Sequence, residues 1–168
     1  MDMNDNRRIE APREVVWAAL NDPEVLKACI PGCESVEKTG ENELEAKVTL
    51  KIGPVKASFT GKVTLSNIDP PNGYTISGEG QGGVAGHARG GADVRLEADG
   101  DATILHYTVR AEVGGKIAQL GSRLIDSTAK KLAGEFFENF GEAVAPTPEE
   151  PEAEGEKPKG KWWKLGRA

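Results

Sequence analysis

The feature that most restricts the fold of this chain is a change in the spacing of its apolar residues at Gly114-Gly115. Before this pair, long stretches alternate apolar with polar residues, which predicts antiparallel strands with one dry and one wet face. After it, from residue 116 to about 144, apolar residues recur at helical spacing in one broad stripe: Ile117, Leu120, Leu124, Thr128, Leu132, Phe136 and Phe140. Such a helix is ~40 Å long and must lie across the dry face of the sheet.

The alternating stretches cover residues 43–52, 55–65, 92–98 and 103–113, and another strand begins at Tyr74. Turn-forming sequences separate the strands, and Asn72-Gly73 is the clearest because Asn-Gly accepts the positive φ angles of a tight hairpin. We predict a meander of about six strands, with a seventh at residues 3–9.

Two short helices follow the predicted first strand. Pro12 suits the start of a helix over residues 11–20. Asp22 is a good N-cap for a second helix, which ends before Pro31-Gly32. One strand, two short helices, a curved antiparallel meander and a long closing helix make an α+β, helix-grip arrangement over residues 1–144.

The remainder of the chain has a different composition. Residues 145–160 are rich in proline and glutamate, which predicts a stiff, solvated linker. Residues 161–168 form a candidate docking tail, with the contacts predicted at Lys161, Trp162, Trp163, Lys164, Leu165 and Arg167. Aromatic rings beside basic residues favour reversible attachment to an anionic membrane surface. Docking of the tryptophan pair on a protein partner remains an alternative.

Charge and hydropathy exclude other classes of protein. The net charge is −6 and the body has no basic stripe, so we expect no nucleic-acid partner. The chain has no apolar leader at its N-terminus and no apolar run of roughly 18 residues. We expect a cytoplasmic protein whose contact with the membrane is peripheral.

The residues that could support catalysis are few. His87 lies in a glycine-rich run and His106 falls on the wet side of its strand. Cys29 and Cys33 lack a second ligand pair for a zinc site. A G-x-G-x-x-G match at Gly78 has no strand-turn-helix unit around it, so it does not indicate a nucleotide site. We predict no catalytic residue, no metal and no covalent cofactor.

The helix–sheet interface, in contrast, contains too few bulky side chains to fill it. Gly121, Ser127 and Gly134 interrupt the helix stripe, and the facing strands are rich in Ala, Gly and Val. A dry void of this kind binds apolar ligands, although a solid core is the alternative. The predicted lining is Leu20, Leu26, Ile30, Val48, Leu50, Phe59, Val63, Tyr74, Ile76, Val94, Leu96, Tyr107, Val109, Ile117, Leu120, Leu124, Thr128 and Leu132.

Several short motifs make the chain resemble the G-subunit family of carbon monoxide dehydrogenase. They are Ala-Pro-Arg-Glu-Val-Val-Trp at 11–17, Asp-Pro-Glu-Val-Leu at 22–26, Cys-Ile-Pro-Gly-Cys-Glu at 29–34, Ile-Gly-Pro-Val at 52–55 and Gly-Ser-Arg-Leu-Ile-Asp at 121–126. The similarity covers about residues 3–144. The wider START-like, helix-grip superfamily binds lipids, hormones or polyketides between the sheet and the long helix.

The resemblance implies a non-catalytic accessory of molybdenum-containing aerobic carbon monoxide dehydrogenases or related enzymes. It also implies a link to the inner face of the cytoplasmic membrane, with a lipophilic quinone or another lipid as cargo. The family supplies no catalytic residues, and the tail lies outside the shared region.

Two other functions remain open. One is a pure membrane-recruitment or assembly factor with a solid core and no ligand. The other is a cyclase- or hydratase-like enzyme, which some helix-grip proteins are. For that chemistry the inward side of the strands offers chiefly the hydroxyls of Tyr74 and Tyr107.

Overall fold

The structure is a computed structural model that describes residues 1–145, so the predicted tail and all of the predicted linker beyond Ala145 lie outside the described residues. In chain order the elements are β1 (Asp2–Ile9), α1 (Arg13–Leu20), α2 (Pro23–Cys29), β2 (Cys33–Gly40), β3 (Glu43–Ile52), β4 (Val55–Asp69), β5 (Gly73–Gln81), a first 3₁₀ turn (Gly83–Ala85), β6 (His87–Asp99), β7 (Ala102–Gly114), a second 3₁₀ turn (Gly115–Leu120) and α3 (Ser122–Val144).

The strands form one antiparallel sheet of seven strands in the order β1-β7-β6-β5-β4-β3-β2. This confirms the predicted meander and its additional first strand, which pairs with the last strand of the chain. The sequence analysis missed β2. That edge strand is mostly polar and buries only Val36, so it lacks the alternation that marks the others.

The two short helices begin as local sequence dictates. Pro12 occupies the N-cap of α1 in an extended conformation. At α2, the Asp22 carboxylate accepts a hydrogen bond from the Glu24 amide at 3.0 Å, and Pro23 follows as the first helical residue. The cap satisfies an amide that has no partner within the helix.

The closing helix is shorter than predicted. Residues 115–120 form the second 3₁₀ turn, and α3 has 23 residues, or ~35 Å. Gly121, with φ at +97°, separates the two, because an α-helix cannot pass through a left-handed residue. The stripe from Ile117 to Phe140 therefore belongs to two elements with different directions.

The core consists of two clusters at opposite ends of α3. The larger lies where α1, α2 and the last turns of α3 meet the sheet, and it buries Val16, Leu105 and Phe140 completely or nearly so. There the Asn139 amide donates a hydrogen bond to the Cys29 carbonyl at 3.0 Å, joining α3 to α2. The smaller cluster is built on Ile52, Ala85 and Ile117. Side chains fill the two ends of the interface and leave a space between them.

Candidate functional site

A cavity of about 670 Å³ lies between the inner face of the sheet and α3. Its volume falls within the range of roughly 300–1,000 Å³ that small-molecule sites occupy. The lining is apolar and contains no side chain of Asp, Glu, Lys, Arg or His. The arrangement can hold a neutral, mostly apolar molecule, because a charged one would lose its hydration without gaining an ion pair.

Most of the side chains predicted to line the cavity do so. They are Leu20, Leu26, Ile30, Val48, Leu50, Phe59, Val63, Tyr74, Ile76, Val94, Tyr107, Val109, Ile117, Thr128 and Leu132. They come from α1 to α3, from most of the strands and from the second 3₁₀ turn. Their role in binding a ligand stays a prediction.

Leu96, Leu120 and Leu124 were placed in the lining wrongly. Leu96 faces inward on β6, but it packs in the larger core cluster, which includes residues of α1 and α3. The other two belong to the smaller cluster, because the break at Gly121 rotates them away from the cavity. Leu124 instead covers the turn at Gly53, where an added Cβ would lie 2.8 Å from the leucine Cδ2.

The sequence analysis also missed part of the lining. The additional residues are Met1, Met3, Pro31, Val36, Leu44, Ala46, Ile52, Gly61, Leu65, Gly80, Ala88, Ala92, Leu105, Ala111, Val113, Ile125, Ala129, Ala133, Phe136 and Phe137. Many of them are small residues on the inward side of strands whose larger neighbours were identified. The helix contributes pairs such as Ala129 and Ala133, one turn apart, that strand parity and helix periodicity would have revealed.

Small residues on the inner face of the sheet create this space. Gly61 and Gly80 are paired across β4 and β5, and the inward position beyond them on β6 is Ala88. All three line the cavity. The glycine-rich run of the sequence therefore contributes volume here, in addition to allowing the sheet to bend.

Two tyrosines are the most polar part of the cavity wall. Tyr74 and Tyr107 are each only 6% exposed, and their rings lie 5.1 Å from Trp17 and Phe137 respectively. Within residues 1–145, neither phenol hydroxyl has a hydrogen-bond partner on the protein. Burial raises the pKa of Tyr74 to about 12, so this group stays neutral and can donate a hydrogen bond.

The other candidate reactive groups lie elsewhere or are inert. His87 is exposed, and His106 lies 2.9 Å from a Glu97 carboxylate oxygen on the outer side of the sheet. Burial raises the pKa of the Cys29 thiol to about 11, which disfavours the nucleophilic thiolate. Over the described residues, no group of three or more His, Cys, Asp or Glu side chains could hold a metal. No α-helix of that same region is long and apolar enough to span a bilayer.

A seven-stranded antiparallel sheet, two short helices after its first strand and a long helix over an apolar cavity define a helix-grip protein of the START-like class. The family of the carbon monoxide dehydrogenase G subunit (CoxG) matches residues 6–145, so the chain belongs to this family.

Solved structures support the same fold. A conserved protein from Geobacillus kaustophilus is 32% identical with a TM-score of 0.81, and the match covers 86% of this chain and 95% of that one. A START superfamily protein from Mycobacterium smegmatis is 13% identical (TM-score 0.66; 85% and 96% covered). The Zhui aromatase/cyclase from Streptomyces sp. R1128 is 14% identical (TM-score 0.61; 86% and 93% covered). These last two likenesses concern the fold alone. No curated protein matches the chain.

Proposed function

We propose that this protein is a non-catalytic accessory of a carbon monoxide dehydrogenase-type enzyme that binds a lipophilic ligand, a quinone or another neutral lipid, in the cavity. The observation that carries the proposal is the apolar space of about 670 Å³ between α3 and the sheet. An isoprenoid or acyl chain gains about 0.8 kcal/mol for each methylene group that it buries in such a site.

The cavity wall favours a ligand with one small polar end. Tyr74, Tyr107 and Thr128 are the only hydroxyl side chains in a lining that otherwise consists of apolar side chains and glycine. A carbonyl or hydroxyl of the ligand would accept a hydrogen bond that the tyrosine hydroxyls do not make within the protein. A quinone or a neutral lipid has this combination of an apolar chain and an uncharged polar group.

The enzyme partner and the membrane are further parts of the proposal. The name of the family supports the partner, since it is that of a component of carbon monoxide dehydrogenase. The composition of the tail, with Trp162 and Trp163 among basic residues, supports contact with the inner face of the cytoplasmic membrane. An accessory of this kind would connect an enzyme in the cytoplasm to a ligand dissolved in the bilayer.

The proposal is tested by extracting the protein, purified from its native host, with organic solvent and analysing the extract by mass spectrometry. We expect a quinone or neutral lipid near one molecule per chain. Ala129→Leu should lower this occupancy because it fills the cavity, whereas Lys130→Leu on the exposed side of α3 should not. Protein that is repeatedly empty would contradict the proposal.

The same measurements separate the two alternative functions. A pure recruitment factor would be empty, and Ala129→Leu would leave its recruitment of the enzyme unchanged. A cyclase-like enzyme would convert a polyketide substrate and lose turnover in Tyr107→Phe. The likeness to an aromatase/cyclase concerns the fold, so it does not favour this alternative.

A further inference from the structure

Three segments meet at one end of the cavity, and we call them together the basic end. They are residues 51–56 at the β3–β4 turn, residues 81–87 around the first 3₁₀ turn, and residues 114–123 from the second 3₁₀ turn into α3. Ile52, Ala85 and Ile117, one from each segment, pack together in the smaller core cluster. The three segments therefore form one continuous surface.

The charge of this surface is opposite to that of the whole chain. The three segments contain four basic residues, Lys51, Lys56, Lys116 and Arg123, and no Asp or Glu, although the net charge of the protein is −6. All four basic side chains are exposed. None of them makes an ion pair with another group of residues 1–145.

The carboxylates nearest in sequence do not cancel this charge. Glu112 is ion-paired with Arg89 at 3.1 Å, on the outer face of the sheet. Glu79 is on β5 beyond the end of the segment, and Asp126 is one turn further along α3. The basic residues therefore project from an end of the fold that lacks acidic side chains.

An apolar side chain projects from the same end. Val84 is 95% exposed, far more than any other large hydrophobic residue in the part of the chain that the structure describes. It lies on the first 3₁₀ turn between Gly83 and Gly86, whose φ angles are +62° and +120°. Because L-residues rarely adopt such φ angles, the turn holds Val84 outward by its backbone conformation.

The basic end is also a wall of the cavity. Ile52, Phe59 and Ile117 belong both to the smaller cluster and to the cavity lining. A ligand in the cavity is thus separated from the surface at Val84 by a single layer of side chains from short, glycine-flanked turns.

We propose that the basic end docks on the surface of an anionic lipid bilayer, with Val84 inserted at the level of the head groups. Attraction to anionic lipid contributes about 1 kcal/mol for each Lys or Arg near the surface, and an exposed apolar side chain adds partition into the interface. The inference rests on the proposed function because both bring the domain to a membrane, but it assigns the contact to the folded domain instead of the tail.

The arrangement favours lipid over an acidic protein surface. A protein interface has an extended apolar core surrounded by polar residues. The basic end has one projecting aliphatic side chain among separate, flexible cations, and such a pattern needs no shape-matched partner.

The test measures co-sedimentation of the full chain with vesicles of phosphatidylglycerol and phosphatidylcholine, compared with phosphatidylcholine alone. Trp162→Ala and Trp163→Ala are present throughout to remove the aromatic contribution of the tail. We expect this protein to bind the anionic vesicles, and Lys51→Gln with Lys116→Gln to weaken binding about 25-fold, or about fivefold for each charge. Val84→Asp should weaken it by about fivefold or more.

The matched control is Lys38→Gln with Lys131→Gln, which removes two exposed charges from other parts of the fold and should change binding less than about twofold. Equal losses in both pairs would overturn the proposal, because only the overall charge would then matter. Failure of the starting protein to bind anionic vesicles would overturn it too. So would unchanged vesicle binding of Lys51→Gln/Lys116→Gln together with loss of binding to the partner enzyme.

Ligand content distinguishes this inference from the proposed function. Lys51→Gln/Lys116→Gln should contain the same extractable lipid as the unmodified protein when both are purified from the native host. Loss of vesicle binding with normal ligand content supports the basic end. Empty protein that still requires these lysines for vesicle binding would contradict only the ligand part of the proposed function.

Discussion

Gly61 of β4 and Gly80 of β5 are register partners on neighbouring strands, and both line the cavity. A Cβ added to Gly61 would lie 3.5 Å from its nearest neighbour, the Glu79 carbonyl oxygen. At Gly80 the nearest atom, the Thr60 carbonyl oxygen, would be 3.8 Å away. These are ordinary van der Waals distances, so the backbone does not require glycine at either position. The missing side chains leave space for a ligand.

We therefore expect Gly80→Val to reduce ligand occupancy without unfolding the protein. The valine side chain projects into the cavity, and a β-branched residue suits a strand that glycine weakens by about 0.5–1 kcal/mol relative to alanine. Extraction with mass spectrometry measures the occupancy, and thermal unfolding measures the stability. The melting temperature should stay the same or rise.

Ser77→Val is the control for this substitution, because Ser77 is exposed on the outer side of the same strand. It should leave occupancy unchanged. If Gly80→Val kept its full ligand content, the glycine pair would not define the volume of the site.

Gly90 of β6 should behave in the opposite way. A Cβ there would clash with the carbonyl oxygen of Arg110 and lie 2.8 Å from the Cα of Ala111. Since both atoms belong to the backbone of β7, relief requires movement of the sheet, and we expect Gly90→Ala to lower the free energy of unfolding by about 1–3 kcal/mol. Urea denaturation measures the loss. Gly80→Ala, which meets no such neighbour, should be neutral or stabilising, and equal behaviour of the two variants would refute the distinction.

The raised pKa of Tyr74 predicts a specific sensitivity to alkali. The pKa is about 12 in the folded protein, because burial disfavours the phenolate, compared with 10.0 for an exposed tyrosine. The unfolded chain therefore loses this proton first, so the contribution to stability is complete below pH 10 and is lost as the pH rises to 12. The loss amounts to roughly 2–3 kcal/mol.

Tyr74→Phe should remove this part of the alkaline destabilisation. At pH 8 the variant should be about as stable as the unmodified protein, because the hydroxyl has no hydrogen-bond partner on residues 1–145 to lose. Free energies of unfolding measured between pH 8 and 12 test the difference, and groups that titrate in both proteins cancel. Parallel pH profiles would show that Tyr74 does not titrate as argued.

Cys29 should resist modification while the protein is folded. The residue is fully buried, and burial raises its pKa to about 11, so both access and thiolate are lacking at pH 7.5. In a Cys33→Ser variant, which leaves Cys29 as the only cysteine, an aromatic disulfide reagent should release its chromophore only after denaturant is added. Rapid reaction of the native variant would mean that α2 opens readily or that Cys29 is accessible.

The elements and their order could be predicted from the sequence because each depends on local chemistry. Alternation of apolar and polar residues, as at Val48 and Leu50, assigns the strand and its inward side. Asp22 and Pro23 start α2 without help from other elements. The edge strand Cys33–Gly40 was missed because an edge strand with one buried residue carries almost no periodic signal.

The volume of the cavity and the identity of its complete lining were decided only in three dimensions. Gly61 and Gly80 look like ordinary strand glycines until the register places them together, and Leu124 fits the helical stripe until Gly121 changes the direction of the chain. The sequence by itself determined which side of each element is apolar. Tertiary structure decided where those sides touch and where they remain apart, because that separation depends on strand pairing and helix ends that lie far apart along the chain.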